Sequence, residues 1–427
     1  MKTYILTNFS TYLKSFSPII VVEEQLKMLT RAAYEPVLLA CEGWEPPKDS
    51  IYSQVETKLL FNANSHDPND SFDNIEESVE LLYNQLKETL PGNCSVITHD
   101  LIFLPDYTVL NLAARKLAKE RPGIKWLHWV HSATGPGTLA QERAMYGANY
   151  ADTLSEKFPN SILCYPNSHD IPRVARNFNF EEFEVIEVPH STDPVDGMHP
   201  LVKRLYDELE LGDKEVLCIA PARLDRGKAL HNIILFMAGC RDAGLSSHVI
   251  FCDFQSTGGD KVTYREEMKK QADKLGVADR ITFISEFDDL AHMEIAHDVV
   301  LDLFTLSNVF LLPSRSETYS LVAQEAMLKG NLCILNYDFP AFRQIYGKRA
   351  IYRQFDGAEI ALDGFDGKTD STHSDPRDYF KNRLAMAVKA WIKNDKLLSG
   401  KTFVRTKRNP DYIFREYIQP LLEGDYA

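Results

Sequence analysis

The chain has 427 residues, 44% of them hydrophobic and 25% charged, and its formal net charge at pH 7 is −14. This composition is typical of a globular protein and excludes a disordered chain, while the length favours two domains of about 200 residues each. No run of 18 apolar residues occurs, so we expect no membrane-spanning helix. The apolar run at residues 1–6 is too short for a secretion signal, and we expect a cytoplasmic protein.

The distribution of charge and cysteine narrows the functional classes further. Residues 1–200 carry a net charge of −11 and residues 201–427 one of −3, so the first half is a poor platform for nucleic-acid phosphates. The basic residues that could form a local patch are Arg115, Lys116, Lys119, Arg121 and Lys125, with Lys401, Arg405, Lys407 and Arg408 near the C-terminus. We interpret them first as solvated helix faces. The seven cysteines are scattered without a CxxC pair, which favours buried free thiols and argues against a zinc site.

Short apolar runs alternate with helix-period segments through the first half. Strand–helix–strand alternation of this kind predicts a parallel sheet with helices on both faces. The predicted helices are 19–33 and 107–120, and the predicted strands are 4–6, 36–40, 95–98, 125–130, 161–164 and 185–188. The proline-rich segment 193–200 is predicted as an interdomain linker.

The second half restarts the same alternation. Its predicted strands are 216–220, 247–252, 281–284, 309–312 and 332–335, and its predicted helices are 229–243, 264–275, 292–303 and 320–328. Residues 363–378 are predicted as a surface loop, and helical pieces near 379–393 and 411–422 close the chain. Two Rossmann-like halves would create a cleft where a ligand meets the carboxyl ends of both sheets.

A first group of residues with chemical potential follows strand 216–220 and opens the next predicted helix. Arg223 and Lys228 lie there, five positions apart. Two fixed cations beside a helix N-terminus suit a departing diphosphate, because negative charge grows on it as the glycosidic bond breaks. Taken alone, the segment favours a surface turn with solvated cations.

A second group follows strand 309–312. A polar loop carries Glu317, and a helix begins near Ser320 with Glu325 among alanines on an apolar stretch. The backbone N–H groups at the helix start can hold an anion, and a carboxylate can accept sugar hydroxyls. For Glu325, a ligand hydroxyl and an ordinary exposed helix position are both open interpretations. The candidate ligand-binding residues of this segment, which the resemblance described next assigns to the donor, are Thr318, Tyr319, Ser320, Leu321 and Glu325.

Together the two groups resemble the family 4 retaining glycosyltransferases of the GT-B fold, which include phage-encoded members. That family has an Arg and a Lys five apart after the first donor-domain strand, and two glutamates eight apart after a later strand. The resemblance implies that Arg223 and Lys228 bind the diphosphate, that Glu325 binds the ribose, and that Glu317 binds the transferred sugar. It implies an α/β fold of GT-B type, with two facing Rossmann-like domains, parallel sheets and an interdomain cleft.

The same resemblance implies the domain organisation and, more loosely, an acceptor site. The implied domains are residues 1–194 for the acceptor, residues 195–408 for the nucleotide-sugar donor, and a C-terminal helix, 409–427, that packs back toward the first domain. The stretch 126–132 is similar to a family strand that ends in a histidine at the cleft, which assigns His131 to catalysis. His99 and Asp100 are acceptor-site candidates, and His128 is assigned to the core.

Several departures from the family pattern affect the surroundings of the sugar. The two glycines expected after the first strand are replaced by residues 15–18, Ser-Phe-Ser-Pro. The family has a small, Gly-rich stretch after the first glutamate, and this chain has Thr-Tyr-Ser after Glu317 instead. The family's Gly-Gly segment near the donor sugar is replaced here by residues 339–344. These differences leave the transferred sugar open.

The sequence has no Asp-x-Asp triad to hold a divalent ion, so we expect neither a metal nor a cofactor beyond the nucleotide-sugar co-substrate. The family resemblance implies a retaining transfer, with a UDP-sugar favoured as donor and a glycan or small molecule as acceptor. One alternative is a phage enzyme that glycosylates hydroxymethylated bases in DNA in a host cytoplasm, which the acidic first half disfavours. Another is an inactive sugar-nucleotide-binding protein, which the retention of both residue pairs disfavours.

Overall fold

The computed structural model describes residues 2–62, 75–131, 148–253, 259–288, 295–315, 317, 319–355 and 379–424. Contacts within the chain divide it into two compact units. The first consists of Met1–Ser191 together with Pro410–Ala427, and the second of Thr192–Asn409.

The first unit is built on a parallel sheet of seven strands in the order β3-β2-β1-β4-β5-β6-β7. Its strands are β1 (Lys2–Leu6), β2 (Glu35–Cys41), β3 (Glu56–Leu60), β4 (Cys94–His99), β5 (Ile124–Trp129), β6 (Ser161–Tyr165) and β7 (Val185–Glu187). Its helices up to the end of β7 are α1 (Ser17–Arg31), α2 (Ile75–Thr89), α3 (Thr108–Glu120), α4 (Ala148–Ser155) and α5 (Ile171–Phe178).

The sheet of the first unit is covered on both faces. Along β1, Tyr4 and Leu6 belong to one apolar cluster, whereas Ile5 between them belongs to another. Successive side chains of a strand point to opposite faces, so these clusters are the two cores on either side of the sheet. Strands buried on both faces need continuous apolar runs, which explains why they are visible in the sequence.

The second unit repeats this plan with six parallel strands in the order β10-β9-β8-β11-β12-β13. Its strands are β8 (Val216–Ala220), β9 (Ser247–Phe251), β10 (Ile281–Phe283), β11 (Val309–Leu312), β12 (Leu332–Asn336) and β13 (Ile351–Arg353). Its helices are α6 (Pro200–Glu208), α7 (His231–Asp242), α8 (Gly259–Leu275), α9 (Ile284–Phe287), α10 (His297–Leu306), α11 (Leu321–Leu328), α12 (Pro340–Tyr346), α13 (Met386–Asn394) and α14 (Lys396–Lys407). A π-helical stretch, Tyr379–Ala385, leads into α13.

The C-terminal segment belongs to the first unit. It consists of α15 (Pro410–Ile413), a π-helical turn (Phe414–Ile418) and α16 (Gln419–Glu423). Its apolar residues Ile413, Ile418 and Leu421 join the core cluster that contains Ile5. The ammonium of Lys125 donates a hydrogen bond to the Leu421 carbonyl at 2.6 Å.

The predicted fold class, α/β with two Rossmann-like domains on parallel sheets, is confirmed by these two sheets. The arrangement of the domains about a cleft stays a prediction. In each sheet the strand order reverses beside the first strand, between β1 and β4 and between β8 and β11. Open parallel sheets bind ligands outside the carboxyl ends of the strands at such a point.

Two expectations about buried side chains can be compared with the structure. Six of the seven cysteines are buried and Cys94 is half-buried, and all seven are free thiols, as predicted. The interpretation of the basic runs as solvated helix faces is wrong for Arg115 and Arg405, which are only 4% and 3% exposed. Both guanidinium groups donate to backbone carbonyls.

Candidate functional site

The candidate donor site lies at the point of the second sheet where the strand order reverses. The segment after β8 and the segment after β11 both leave the carboxyl edge of the sheet there. They line a cavity of about 560 Å³, whose polar side chains include Arg223, Lys228 and Glu317. The backbone at the start of α11, residues 319–322, completes the wall. Both of the residue groups singled out in the sequence therefore meet in one cavity.

The best-defined contact in this cavity is an ion pair between Lys228 and Glu317. Lys228 Nζ lies 2.6 Å from Glu317 Oε1, and the two side chains are only 24% and 14% exposed. Lys228 ends a short 3₁₀ turn, Arg226–Lys228, and the next residue, Ala229, has a left-handed backbone with φ of 51°. The helix α7 begins only at His231, so Lys228 is carried by the turn and not by the helix.

Arg223 is held less firmly than Lys228. Its side chain is 54% exposed, and its closest charged partner is Asp225, with Nε and Oδ2 3.9 Å apart. Arg226, between the two cavity cations in sequence, is engaged elsewhere: it donates to both oxygens of Glu267 at 2.9 and 2.7 Å. It also lies over the ring of Tyr264.

The loop that leads into α11 has an unusual backbone. Ser320, the residue before the helix, has a φ of 68°, and its own side chain makes no capping hydrogen bond. The hydroxyl of Tyr346 lies 2.9 and 2.8 Å from the carbonyl oxygens of Tyr319 and Ser320 and donates to them. These contacts stabilise the loop. Backbone N–H groups in the first turn of a helix can bind an anion. Thr318, a predicted donor-binding residue, lies outside the described residues.

Glu325 lies one helical turn beyond Leu321 on α11. Its side chain is 25% exposed, and His297 Nε2 lies 2.8 Å from its Oε1. Glu325 does not belong to the lining of the 560 Å³ cavity. The carboxylate that the family resemblance assigns to the ribose is thus paired with a histidine at the start of α10.

Three histidines and a glutamine gather at the carboxyl edge of the first sheet. His99 ends β4, His131 follows β5, and His190 follows β7. The rings of His99 and His131 are nearly parallel with centroids 5.3 Å apart, and those of His131 and His190 are nearly parallel with centroids 5.4 Å apart. Gln25 on α1 reaches the far side of His99, with Oε1 2.9 Å from His99 Nε2.

The side chain of Asp100 binds the backbone of His131. Its Oδ1 accepts a hydrogen bond from the backbone N–H of His131 at 2.9 Å, and its own backbone is left-handed with φ of 54°. Asp100 is 7% exposed, and burial raises the pKa of its carboxyl to about 6. Burial likewise lowers the pKa of His131 to about 4 and that of His99 well below its usual value. Both rings are therefore neutral near pH 7.

His99 and His128 differ from His131 in their access to solvent. His99 is 1% exposed, so it lies behind His131 and not at the surface expected of an acceptor contact. His128 is fully buried, as its assignment to the core predicts, with Nδ1 2.7 Å from the Thr98 hydroxyl. Of the three predicted histidines, only His131 is partly accessible.

Four residues of these sites were missed by sequence reasoning: Gln25, His190, His297 and Tyr346. Gln25 offered a signal, because it is a polar residue between Val22 and Leu29 on the buried face of a helix. The others contact partners 26 to 59 positions away, which spacing alone does not reveal. Within the ranges that the structure describes, no group of three histidine, cysteine or carboxylate side chains could hold a metal ion. No helix in those ranges is both long and apolar enough to cross a membrane.

Comparison with solved structures finds proteins that align along nearly the whole chain. A glycosyltransferase from Rickettsia africae ESF-5 is 12% identical, with 99% of this chain and 98% of that chain covered and a TM-score of 0.35. HepE from Anabaena in complex with UDP-glucose is 13% identical, with 99% of each chain covered and a TM-score of 0.37. Sucrose-phosphate synthase from Thermosynechococcus elongatus is 17% identical, with coverage of 99% and 94% and a TM-score of 0.31. At such low identities and TM-scores, these likenesses carry no weight for the chemistry of the site.

Comparison with protein families gives a more specific result than comparison with solved structures. No curated protein sequence matches the chain. Residues 203–349, about a third of the chain, match the family model for glycosyl transferases group 1. The matched stretch runs from α6 to the end of α12 and contains Arg223, Lys228, Glu317 and Glu325. Part of the second unit is therefore similar to glycosyl transferases group 1, and both of the residue pairs singled out in the sequence lie within that part.

Proposed function

We propose that the protein is a retaining glycosyltransferase that moves a sugar from a nucleoside-diphosphate donor, with a UDP-sugar favoured, to a hydroxyl of a glycan or small molecule. The observation that carries this proposal is the cavity at the carboxyl edge of the second sheet. It combines two cations, a carboxylate and the first turn of a helix in one place.

The chemistry of this cavity suits a diphosphate leaving group. Lys228 and Arg223 supply positive charge on one side, and the backbone N–H groups at the start of α11 supply dipoles on the other. A cavity of about 560 Å³ is large enough for a small-molecule ligand. Lys228 is tied to Glu317 and only 24% exposed, so its charge is already positioned before a ligand arrives.

In the proposed step, the bond between the anomeric carbon and the phosphate oxygen breaks. A new bond forms between that carbon and the acceptor oxygen on the same face of the sugar. The acceptor's proton passes to the departing phosphate, whose growing negative charge is stabilised by Lys228 and Arg223. Glu317 binds hydroxyls of the transferred sugar, Glu325 binds the ribose, and His131 contacts the substrate at the carboxyl edge of the first sheet.

The test is a donor screen followed by product analysis. Titration calorimetry against nucleoside diphosphates and their sugars identifies the donor. NMR coupling constants of the product should then show the anomeric configuration of the donor, and activity should persist in EDTA. An inverted product contradicts the retaining assignment, and loss of activity in EDTA that manganese restores contradicts the cation-based account.

A donor that binds but is neither hydrolysed nor transferred would favour the inactive binding-protein alternative. Donor hydrolysis that disappears in Lys228→Ala separates the two, because a trace contaminant would not respond to that substitution.

A further inference from the structure

We propose that Gln25 and His99 are positioning residues for His131, forming a buried hydrogen-bond relay that fixes its tautomer and leaves the Nδ1 lone pair of His131 for the substrate. The part of this inference that concerns substrate rests on the proposed function. The relay itself is a property of the folded chain and can be tested without any ligand.

Gln25 determines which nitrogen donates in each hydrogen bond of the relay. The side-chain carbonyl oxygen of Gln25 can only accept, and it lies 2.9 Å from His99 Nε2, so that nitrogen carries the proton. A neutral imidazole has one N–H, so His99 Nδ1 is then an acceptor. It lies 3.0 Å from His131 Nε2, which therefore donates. His131 is left with an unprotonated Nδ1.

Burial protects the hydrogen bonds of this relay from water and keeps both histidines neutral. Gln25 is 3% exposed and His99 is 1% exposed, so water cannot replace either partner at low cost. Both histidines have a lowered pKa because burial disfavours the imidazolium, so each has one proton and one acceptor nitrogen near neutral pH. Among the residues that the structure describes, the titratable groups beside the relay are Asp100 and His190, whose ring is nearly parallel to that of His131.

The position of His131 is also fixed from other directions. Asp100 accepts a hydrogen bond from its backbone N–H at 2.9 Å, and the ring of His190 lies nearly parallel to the His131 ring, with centroids 5.4 Å apart. A hydrogen-bond partner that sets the tautomer of a substrate-contacting histidine is a known way to orient such a ring, as in the serine protease triad.

The first experiment measures the tautomer directly. Long-range ¹H–¹⁵N correlation spectra of the full chain at pH 7 should show His131 protonated at Nε2 and bare at Nδ1. His99 should show the same tautomer. The opposite tautomer in wild type, or rapid averaging between the two, would overturn the relay.

The second experiment removes the outer partner. In Gln25→Leu, His131 should change to a mixture of tautomers, and kcat should fall roughly tenfold or more with little change in the KM for donor. In Gln25→Glu the acceptor is kept, so the tautomer should be retained. The new carboxylate should raise the pKa of the histidine pair and move the acidic limb of the kcat profile to higher pH. The control is Met28→Leu, which lies on the same helix and lines the same small cavity as Gln25 but has no bond to His99.

The outcomes separate the relay from the enzymatic assignment. An unchanged His131 tautomer in Gln25→Leu overturns the relay, whatever the activity. A changed tautomer with an unchanged rate overturns the role of His131 toward substrate. If no donor is found, the proposed function fails while the wild-type and Gln25→Leu spectra still decide the relay.

Discussion

At the scale of single residues, the Lys228 ammonium has two anionic partners in the proposed reaction, Glu317 and the donor phosphate. In the free protein its ammonium lies 2.6 Å from Glu317, yet the proposed reaction needs the same charge on a phosphate. A diphosphate carries more negative charge than one carboxylate, so it can draw Lys228 away or share it. Glu317 would then become available to sugar hydroxyls at the moment when the donor binds.

The first prediction concerns the two cavity cations. Lys228→Ala and Arg223→Ala should each weaken UDP binding by tenfold to over a hundredfold, because a charge-assisted contact to phosphate contributes about 1.5–3 kcal/mol. Titration calorimetry measures the change. Arg226→Ala is the matched control, since its guanidinium is occupied by Glu267 and is not part of the cavity lining. Unchanged affinity in both alanine variants of the cavity cations would remove the phosphate site.

The second prediction separates the two glutamates. Glu317→Gln should lower turnover without lowering UDP affinity, because the substitution removes a competitor for the Lys228 ammonium. Glu325→Gln should weaken UDP binding, because its carboxylate is assigned to the ribose. Calorimetry with UDP and steady-state rates with the full donor distinguish these effects. If Glu325→Gln binds UDP as wild type does, the ribose assignment is wrong.

The sequence predicted Arg223, Lys228 and Glu317, which line the donor cavity, but not their pairing. These residues and Glu325 were identifiable through the family resemblance, in which the Arg–Lys pair lies five positions apart and the Glu–Glu pair eight. The ion pair of Lys228 with Glu317 joins residues 89 positions apart, and that of His297 with Glu325 joins residues 28 apart. Such pairs depend on which strands are neighbours in the sheet, which residue spacing does not specify.

At the scale of secondary-structure elements, the central strands were predicted, as were the edge strands β7 and β10, but the edge strands β3 and β13 were not. Strands β8 and β11 are buried throughout, so each is an unbroken apolar run and both predictions match their bounds. Strand β3 at the edge of the first sheet has the sequence Glu-Thr-Lys-Leu-Leu and is largely exposed, and β13 has only three residues. An edge strand that is exposed or very short has little apolar sequence, so the hydrophobic pattern did not reveal these two.

The third prediction concerns the loop before α11. Ser320 has a left-handed backbone, which costs a residue with a Cβ roughly 1 kcal/mol relative to glycine. Ser320→Gly should therefore leave the melting temperature unchanged or raise it by a few degrees. Tyr346→Phe should have a different effect, since it removes the hydroxyl that donates to the carbonyls of Tyr319 and Ser320.

The loosened loop of Tyr346→Phe should weaken UDP binding several-fold, measured by calorimetry, because the N–H groups of α11 are less well oriented. Tyr352→Phe is its control: that hydroxyl also binds backbone carbonyls, at Phe342 and Gly347, but away from the start of α11. Equal UDP affinity in wild type and Tyr346→Phe would show that the loop needs no such support.

At the scale of the whole molecule, buried histidines couple stability to pH. Burial lowers the pKa of His128 to about 3 and those of His131 and His248 to about 4. Such groups stabilise the fold fully above pH 6.5, where the unfolded histidine is also neutral. Their contribution is lost as the pH falls toward the folded pKa, because only the unfolded chain then binds the proton. Asp100, with its pKa raised to about 6, acts in the opposite direction but is a single group.

The fourth prediction is a fall in the free energy of unfolding between pH 6.5 and 5. Each of the three histidines should contribute roughly 2 kcal/mol to that fall, at about 1.4 kcal/mol for each pKa unit. Urea unfolding followed by circular dichroism at several pH values measures it. His128→Asn can keep an acceptor for the Thr98 hydroxyl while removing one titrating group, and should flatten the pH dependence. A slope equal to that of wild type would contradict the assignment of His128.

The electrostatics of the whole molecule also bear on DNA as an acceptor. A DNA substrate requires a track of available cations, because phosphate contacts dominate its affinity. The described basic residues of the first unit are largely engaged within it: Arg115 donates to the Glu156 carbonyl, Lys116 pairs with Glu80, Arg121 donates to the Leu90 carbonyl, and Lys125 donates to the Leu421 carbonyl. Near the C-terminus, Arg405 is buried and Lys401 donates to two backbone carbonyls.

The fifth prediction is therefore that the protein shows no salt-sensitive binding to plain duplex DNA at physiological ionic strength. The net charge of −14 repels the backbone, and a base would also have to leave the stack at a cost of a few kcal/mol to reach a sugar. A gel-shift titration at about 50 and 200 mM salt tests this, with a basic DNA-binding protein as the positive control. Micromolar binding that weakens steeply over that range would identify a cation track that the charge distribution does not suggest. It would make a DNA base the preferred acceptor over a glycan or small molecule.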